Sequence, residues 1–218
     1  MTTTAEVSHP LFARLYARQS HKAEAKGIAD QRRRTLSGLS GGVVEVGAGN
    51  GLNFGHYPSG VSEVVAVEPE PYLRAEAEQA ASEASVQVSV VAGVAEDLPL
   101  PDDAVDAGVA SMVLCSVADP ERALRELYRV IRPGGELRFN EHVISERRGL
   151  AVLQRGLDVI WPHVAGGCHM GRDAGALLRE AGFEVEHIER FTFGVPPLDP
   201  PKPHISVSRA SPACDATR

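Results

Sequence analysis

Cysteine is scarce in this chain. Cys115, Cys168 and Cys214 are the only three among 218 residues, odd in number and far apart. A disulfide framework is therefore excluded as an organising principle, and a reducing cytoplasm is the expected setting. Neither Cys-x-x-Cys nor His-Glu-x-x-His occurs, so no metal is expected. No apolar run approaches the roughly 18 residues that cross a bilayer. The N-terminus, Met1-Thr2-Thr3-Thr4-Ala5-Glu6, has no basic region followed by an apolar one, so it does not read as a secretory signal. Positive charge is also in deficit. The net charge of -7 lacks the basic footprint of a nucleic-acid binder. No Gly-Lys-Ser/Thr marks a phosphate-cradling loop, and no internal repeat is visible. The length fits one domain with a full core.

What the chain does contain is an apolar run ending in glycines: Val43-Val44-Glu45-Val46-Gly47-Ala48-Gly49-Asn50-Gly51. It reads as a strand running into a tight turn, where glycine lets backbone approach a ligand closely. A second run, Val64-Val65-Ala66-Val67, ends in Glu68, an acid placed to accept hydrogen bonds from both hydroxyls of a ribose. The spacing is Gly47-x-Gly49-x-Gly51, with Leu52 where a dinucleotide fingerprint needs its third glycine. A nucleoside without a phosphate chain fits this pattern, and S-adenosylmethionine (SAM) is such a ligand.

Residues 9–39 read as helical, with Leu11, Phe12, Leu15 and Tyr16 on one side. Ser20 is placed to cap a second helix, and Arg32, Arg33 and Arg34 read as its solvated end. Strands are then expected at 43–46, 64–67, 86–91, 107–113 and 136–140. Helices are expected at 71–81 and 120–131, the latter started by Asp119-Pro120 and stopped by Pro133-Gly134-Gly135. This alternation means a parallel sheet covered on both faces. Beyond it, a helix over 150–160 is expected to break at Trp161-Pro162. A flexible glycine loop spans 166–171, and a helix over 173–181 stops at Gly182. Two last strands, 183–193 and 204–208, flank a proline-rich segment.

Ligands of such sheets sit beyond the carboxyl ends of the strands. The glycine turn should face the methionine part of SAM. The backbone of Ala95 or Glu96 should meet the adenine ring, with the Glu96 carboxylate on its exocyclic amine. Ser111 and Met112 should line the methionine amino group and the methyl. Cys115 reads as a small apolar wall residue there.

These blocks resemble the class I SAM-dependent methyltransferases: Val-Glu-Val-Gly-Ala-Gly-Asn-Gly at 44–51, Val-Glu-Pro at 67–69, Ala-Glu-Asp-Leu-Pro at 95–99 and Leu-Tyr-Arg-Val-Ile-Arg-Pro-Gly-Gly at 127–135. Asn53-Phe54, Tyr57-Pro58, residues 113–117, Glu141-His142-Val143, Leu157-Asp158 with Trp161, Asp173, and Pro203-His204-Ile205 are similar to the animal microsomal thiol methyltransferases and their bacterial relatives. The resemblance implies a Rossmann-like α/β fold, a seven-stranded sheet with its last strand antiparallel and helices on both faces. It implies a helical lid at 1–40 and the catalytic domain at 41–209, while the polar, small residues of 210–218 read as a disordered tail. It implies cofactor contacts from Tyr16, Glu45, Gly47, Ala48, Gly49, Gly51, Asn53, Glu68, Pro69, Ala95, Glu96, Ser111 and Met112. The product would be S-adenosylhomocysteine. The animal proteins begin with a hydrophobic anchor that this sequence lacks, so a soluble protein is expected. Val94 stands where many members have Asp, Ala48 where the family has Cys, and Asn50 where it has Thr.

The implied reaction is methyl transfer to a small molecule, with positioning as the main catalytic device. For a thiol acceptor the thiolate is the reactive species, so a base helps. Candidates are His142 after strand five, His163 and His169 in the variable region, and Asp158 as an orienting group. Trp161, Phe191 and Phe193 are candidates for an apolar acceptor wall. Alternatives are an oxygen, nitrogen or carbon acceptor, a SAM-binding protein without turnover, and a nicotinamide-dependent oxidoreductase.

Overall fold

The structure, a computed structural model, describes residues 9–142, 144–145, 148–164, 166–193 and 202–212. Among the described residues there are seven strands: β1 Gly41–Val46, β2 Val61–Val67, β3 Gln87–Val91, β4 Val105–Ser111, β5 Ile131–His142, β6 Phe183–Phe193 and β7 Lys202–Pro212. The helices are α1 Pro10–Ala23, α2 Ala29–Leu36, α3 Pro71–Ser82, α4 Pro120–Val130, α5 Arg148–Leu157, α6 Trp161–Val164 and α7 Ala174–Glu180. The strands lie in the order β3-β2-β1-β4-β5-β7-β6. The first five are parallel, and β7 runs antiparallel to both β5 and β6. This is a Rossmann-like fold. The strand order reverses between β1 and β4, which is where such sheets bind ligands.

Apolar strand residues bury both faces. Leu124, Leu127 and Val130 of α4, Leu178 of α7, and Leu137 and Phe139 of β5 fill one side. Leu36, Phe54 and Ala77 pack on Val43, Val64 and Val109 across the other. The helices after β2 and β4 both start at the carboxyl edge, α4 with the expected Asp119 cap and α3 with a Glu70 cap that was not foreseen. Glu70 accepts from the Leu73 N–H at 2.8 Å and Asp119 from the Arg122 N–H at 2.9 Å, each followed by proline in the first turn.

Some expectations need correcting. Ser20 caps nothing. It lies inside α1, and its hydroxyl donates back to the Ala17 carbonyl. The chain continues through a π-turn at Glu24–Ile28, where Gly27 has φ +105°, before α2 begins. The apolar stripe of α1 splits. Leu11 is 84% exposed and Leu15 is exposed too, because α1 packs through its small residues Ala13, Ala17 and Ser20. Helix α4 stops at Val130, before the Pro-Gly-Gly stretch, because Ile131 already pairs with Val105. Gly134 at φ +79° then sits in the register shift between that pair and Ala107 with Glu136. Trp161-Pro162 opens the short helix α6 rather than only ending α5, since proline is tolerated in a first turn. Strand β7 runs to Pro212, into the segment expected to be a tail. Residues 213–218 and most of the proline-rich stretch lie outside the described residues. Among the described residues no helix is long and apolar enough to cross a membrane, and no His, Cys, Asp and Glu cluster could hold a metal.

Candidate functional site

The glycine turn after β1 lies across the end of β2, with the Ala48 N–H donating to the Val67 carbonyl. Gly47 and Gly49 have φ +60° and +58°, a region that side chains disfavour. At Gly47 there is no room either, because a Cβ would stand 2.5 Å from Val113 Cγ2 in the turn after β4. We expect Gly47→Ala to cost about 2–3 kcal/mol, from the backbone penalty plus overpacking against a stiff β-branched neighbour. Urea unfolding should show it, with SAM binding lost in the same variant. Above Gly49 the Tyr16 ring is 3.4 Å from where a Cβ would be. Behind Gly51, Phe54 and Ala80 close the space.

Glu68 ends β2 as expected and is buried. One carboxylate oxygen accepts from the Gly49 N–H at 2.7 Å and the other from the Glu70 N–H at 2.9 Å. Burial raises its pKa to about 7, against the lowering effect of those two bonds. Each oxygen keeps a lone pair, so the two hydroxyls of a ribose fit the group. Pro69 follows in the loop, its carbonyl held by Arg74 at 3.2 Å. Tyr16 lies within the electrostatic reach of Glu68, Cys115 and Arg32, and burial raises the pKa of its phenol.

Glu45 is placed differently from a direct ligand contact. It is fully buried and accepts from Tyr57 Oη at 2.6 Å and Asn53 Nδ2 at 2.8 Å. Burial raises its pKa to about 7, against the lowering effects of those bonds and of Arg32. Asn53 also donates to Ser111 Oγ at 3.2 Å and accepts from Arg32 at 2.9 Å. Arg32 is thus not a solvated helix end, as its Nε is held by Glu24 at 2.8 Å. The N-terminal helices are fastened to the glycine turn a second time by Asn50, which donates to Ser20 at 3.1 Å.

Ala95 is buried in the turn after β3, and Glu96 accepts from the Ala118 and Asp119 N–H groups through one oxygen. Its second oxygen takes no part in those bonds. Met112 closes β4 with φ +62° and donates its N–H to the Asn140 carbonyl at 2.7 Å. The following turn is built on Glu141, whose role nothing in the Glu141-His142-Val143 block announces. This buried acid accepts from the N–H groups of Val113, Leu114 and Cys115 at 2.7, 2.8 and 3.2 Å. Burial, reinforced by the charge of Cys115, drives its pKa well up. The only sequence signal was an acid immediately after an apolar strand.

The glycine loop at 166–171 covers this turn. The His169 N–H donates to the Cys115 carbonyl at 2.8 Å, and Arg172 Nη1 donates to the carbonyls of Leu114 and Val117 at 2.7 and 2.8 Å. A Cβ on Gly167 would stand 2.8 Å from the Ser116 carbonyl, and one on Gly166 2.4 Å from the Phe12 ring. Phe12 in turn stacks on Tyr16 with centroids 6.0 Å apart. The structure therefore brings Tyr16, Gly49, Glu68, Met112, Cys115 and His169 around one site. His169 Nδ1 is buried without a partner among the described residues. Asp158 instead accepts from the Met170 and Gly171 N–H groups at 2.7 and 2.8 Å, fixing the loop. His163 is exposed. His142 ends β5, and its side chain lies outside the described residues, as do those of Phe191 and Phe193.

Fold and site together define a nucleoside-dependent enzyme of the methyltransferase class. A methyltransferase domain family matches residues 44–139. The chain is 34% identical to thiol S-methyltransferase TMT1B of Rattus norvegicus, over 89% of this chain and 82% of that protein. It is 35% identical to the Homo sapiens protein of the same name, over 78% and 71%. Among solved structures, geranyl diphosphate methyltransferase in complex with SAM shares the fold with a TM-score of 0.64 at 18% identity, covering 82% of this chain and 72% of that one. A methyltransferase-fold protein from Bacillus halodurans C-125 does so at 0.65 and 21%, covering 75% and 72%. The chain belongs to the SAM-dependent methyltransferase family that includes these thiol S-methyltransferases, and SAM is its cofactor.

Proposed function

We propose that this cytoplasmic enzyme methylates the sulfur of a small thiol. One observation carries the mechanism: the loop bearing His169 docks on the Cys115 turn, against Phe12 of the Phe12–Tyr16 stack, whose Tyr16 ring lies over Gly49. The names of the curated relatives support the thiol acceptor. We read the sheet as the complete class I arrangement, and the antiparallel pairing of β7 with β5 supports this.

When bound, SAM supplies a methyl group whose bond to the sulfonium breaks as the acceptor sulfur bonds the carbon, the electron pair staying on S-adenosylhomocysteine. Glu68 would hold the ribose, the Ala95 and Glu96 backbone the adenine, and the turn at Gly47, Ala48, Gly49 and Gly51 the methionine part. Glu45 and Asn53 support that turn from beneath, and Ser111 and Met112 border it. Tyr16 and Phe12 exclude water. His169 Nδ1 accepts the thiol proton, leaving a thiolate as nucleophile. His142 and His163 are the weaker candidates for this role, and Asp158 positions His169 through the loop.

A panel of thiols, phenols and amines with labelled SAM tests the reading. Label should appear in thioethers. Methylation confined to phenols or amines would overturn the sulfur acceptor. His169→Asn should lower kcat/KM for a thiol about 100-fold at pH 7. The deficit should shrink above pH ~9, where a thiol ionises unaided.

A further inference from the structure

Near the carboxyl edge of β4 and β5 lies Asn140, a buried polar residue that neither the cofactor nor the proton transfer uses. Ser111 on β4 stands opposite Asn140 on β5, so both project to the same face. Helix α2 covers that face, since Arg138, two residues before Asn140, reaches the Thr35 carbonyl. Helix α2 leads into β1 and so runs from the carboxyl edge of the sheet toward its amino edge. Gln31, one turn before Thr35, therefore stands nearer the carboxyl edge, as Asn140 does relative to Arg138. By this register both carboxamides lie toward the carboxyl edge of the α2–β5 interface.

Both have groups left over. Asn140 is 5% exposed, and its Oδ1 has no partner among the described residues. Gln31 Oε1 is buried and unpartnered in the same way, and so is Thr35 Oγ1 one turn deeper. Their neighbours are already engaged: Arg32 bonds Asn53, and Asn53 bonds Glu45 and Ser111. Buried acceptors are normally satisfied, and an orphan calls for an absent partner. Asn140 is also fixed to the cofactor side of the site. Its carbonyl holds the N–H of Met112, a bulky residue kept at φ +62°, and such outliers cluster where ligands bind.

We infer that Gln31 and Asn140 form the far end of the acceptor pocket and select thiols that carry a second hydrogen-bond donor, a hydroxyl or an amine. The inference rests on the thiol-methyltransferase reading. Two carboxamide oxygens accept from such a group, whereas an alkyl chain leaves them unpaired. The substrate class is small hydroxythiols and aminothiols rather than plain alkylthiols.

The test compares 2-mercaptoethanol and cysteamine with 1-propanethiol. The intact protein should prefer a donor-bearing thiol by at least about tenfold in kcat/KM, one or two hydrogen bonds' worth. That ratio should fall toward one in Asn140→Leu and, independently, in Gln31→Leu. Ligand-observed NMR on the S-adenosylhomocysteine complex measures the same preference without turnover. A ratio near one in the intact protein, or a preference that both variants retain, would overturn the inference and mean that the amides hold only buried water. Selective binding with no thiol turnover would sustain the polar pocket and sink the thiol reading instead. Which donor-bearing thiol wins distinguishes hydroxyl from amine.

Discussion

Glu68→Ala should weaken SAM binding by more than about 100-fold in calorimetric titration, with turnover falling alongside. Two hydrogen bonds from ribose hydroxyls to a carboxylate are worth about 3 kcal/mol or more, and each 1.4 kcal/mol is tenfold. The variant also releases the Gly49 and Glu70 N–H groups that the carboxylate holds, so the turn itself loosens. Glu68→Gln keeps the shape and one acceptor oxygen and should lose about tenfold. A pH series adds a second signature. Burial keeps Glu68 protonated up to about pH 7 in the ligand-free protein, and only the ionised group accepts from both hydroxyls. SAM affinity should therefore rise as pH passes through about 7, and the Gln variant should lack that slope. An alanine variant that titrates like the intact protein would remove Glu68 from the ribose role.

The sequence exposed this residue because its strand and its position at the strand's end are local features, although its carboxylate also holds the Gly49 N–H far back in the chain. An apolar run buried on both faces reads as a central strand, and an acid at its end falls on the ligand edge. The same logic recovered the Gly47–Gly49 turn and the Asp119 cap. It failed where a side chain's partner lies far along the chain. Arg32 has the spacing of a solvated helix end, and nothing in residues 29–36 announces Asn53. Glu141 looked like one more strand-end acid, yet it folds inward beneath the turn carrying Cys115, its donors 26 to 28 residues earlier. Ser20 has the chemistry of a cap, but its hydroxyl turns back to Ala17 and receives Asn50 from the glycine turn. A periodicity argument sees which face of an element is apolar. It does not see which polar groups of two elements will meet.

Those unseen partners share one arrangement: N-terminal helices tied to the floor of the site by buried polar side chains. Tyr16 stands over Gly49, Ser20 bonds Asn50, and Arg32 bonds Asn53. Residues 9–40 therefore do more than lie over the glycine turn. Their position is set by the turn that would bind the methionine part of SAM, and the orientation of Asn53 ties that turn to Glu45 and Ser111.

Glu45, at the base of this network, makes stability depend on pH in the direction opposite to a salt-bridged acid. Burial raises its pKa from an ordinary 4.5 to about 7, the Tyr57 and Asn53 hydrogen bonds opposing the rise only partly. Between those two pH values the folded protein holds a proton that the unfolded chain has released. The native state binds more protons there, so stability falls as pH rises from about 4.5 to 7 and the cost stays in place above it. For Glu45 alone the cost approaches about 3 kcal/mol. Glu68 adds to the same window, and Glu141, held protonated well above its ordinary range, extends the fall to higher pH. Glu45→Gln keeps an acceptor for Asn53 or Tyr57 and removes the ionisation. Without SAM, its melting temperature at pH 8 should exceed that of the intact protein by several degrees, at roughly 2–4 °C per kcal/mol for a chain of this size. Its melting profile between pH 5 and 8 should also be visibly flatter. At pH 4, below the ordinary pKa, where Glu45 is neutral in the folded protein and mostly neutral in the unfolded one, the two proteins should melt nearly together. A variant less stable at pH 8 would mean that ionised Glu45 is matched by Arg32 through Asn53, and that the network is held together by charge rather than by a shared proton.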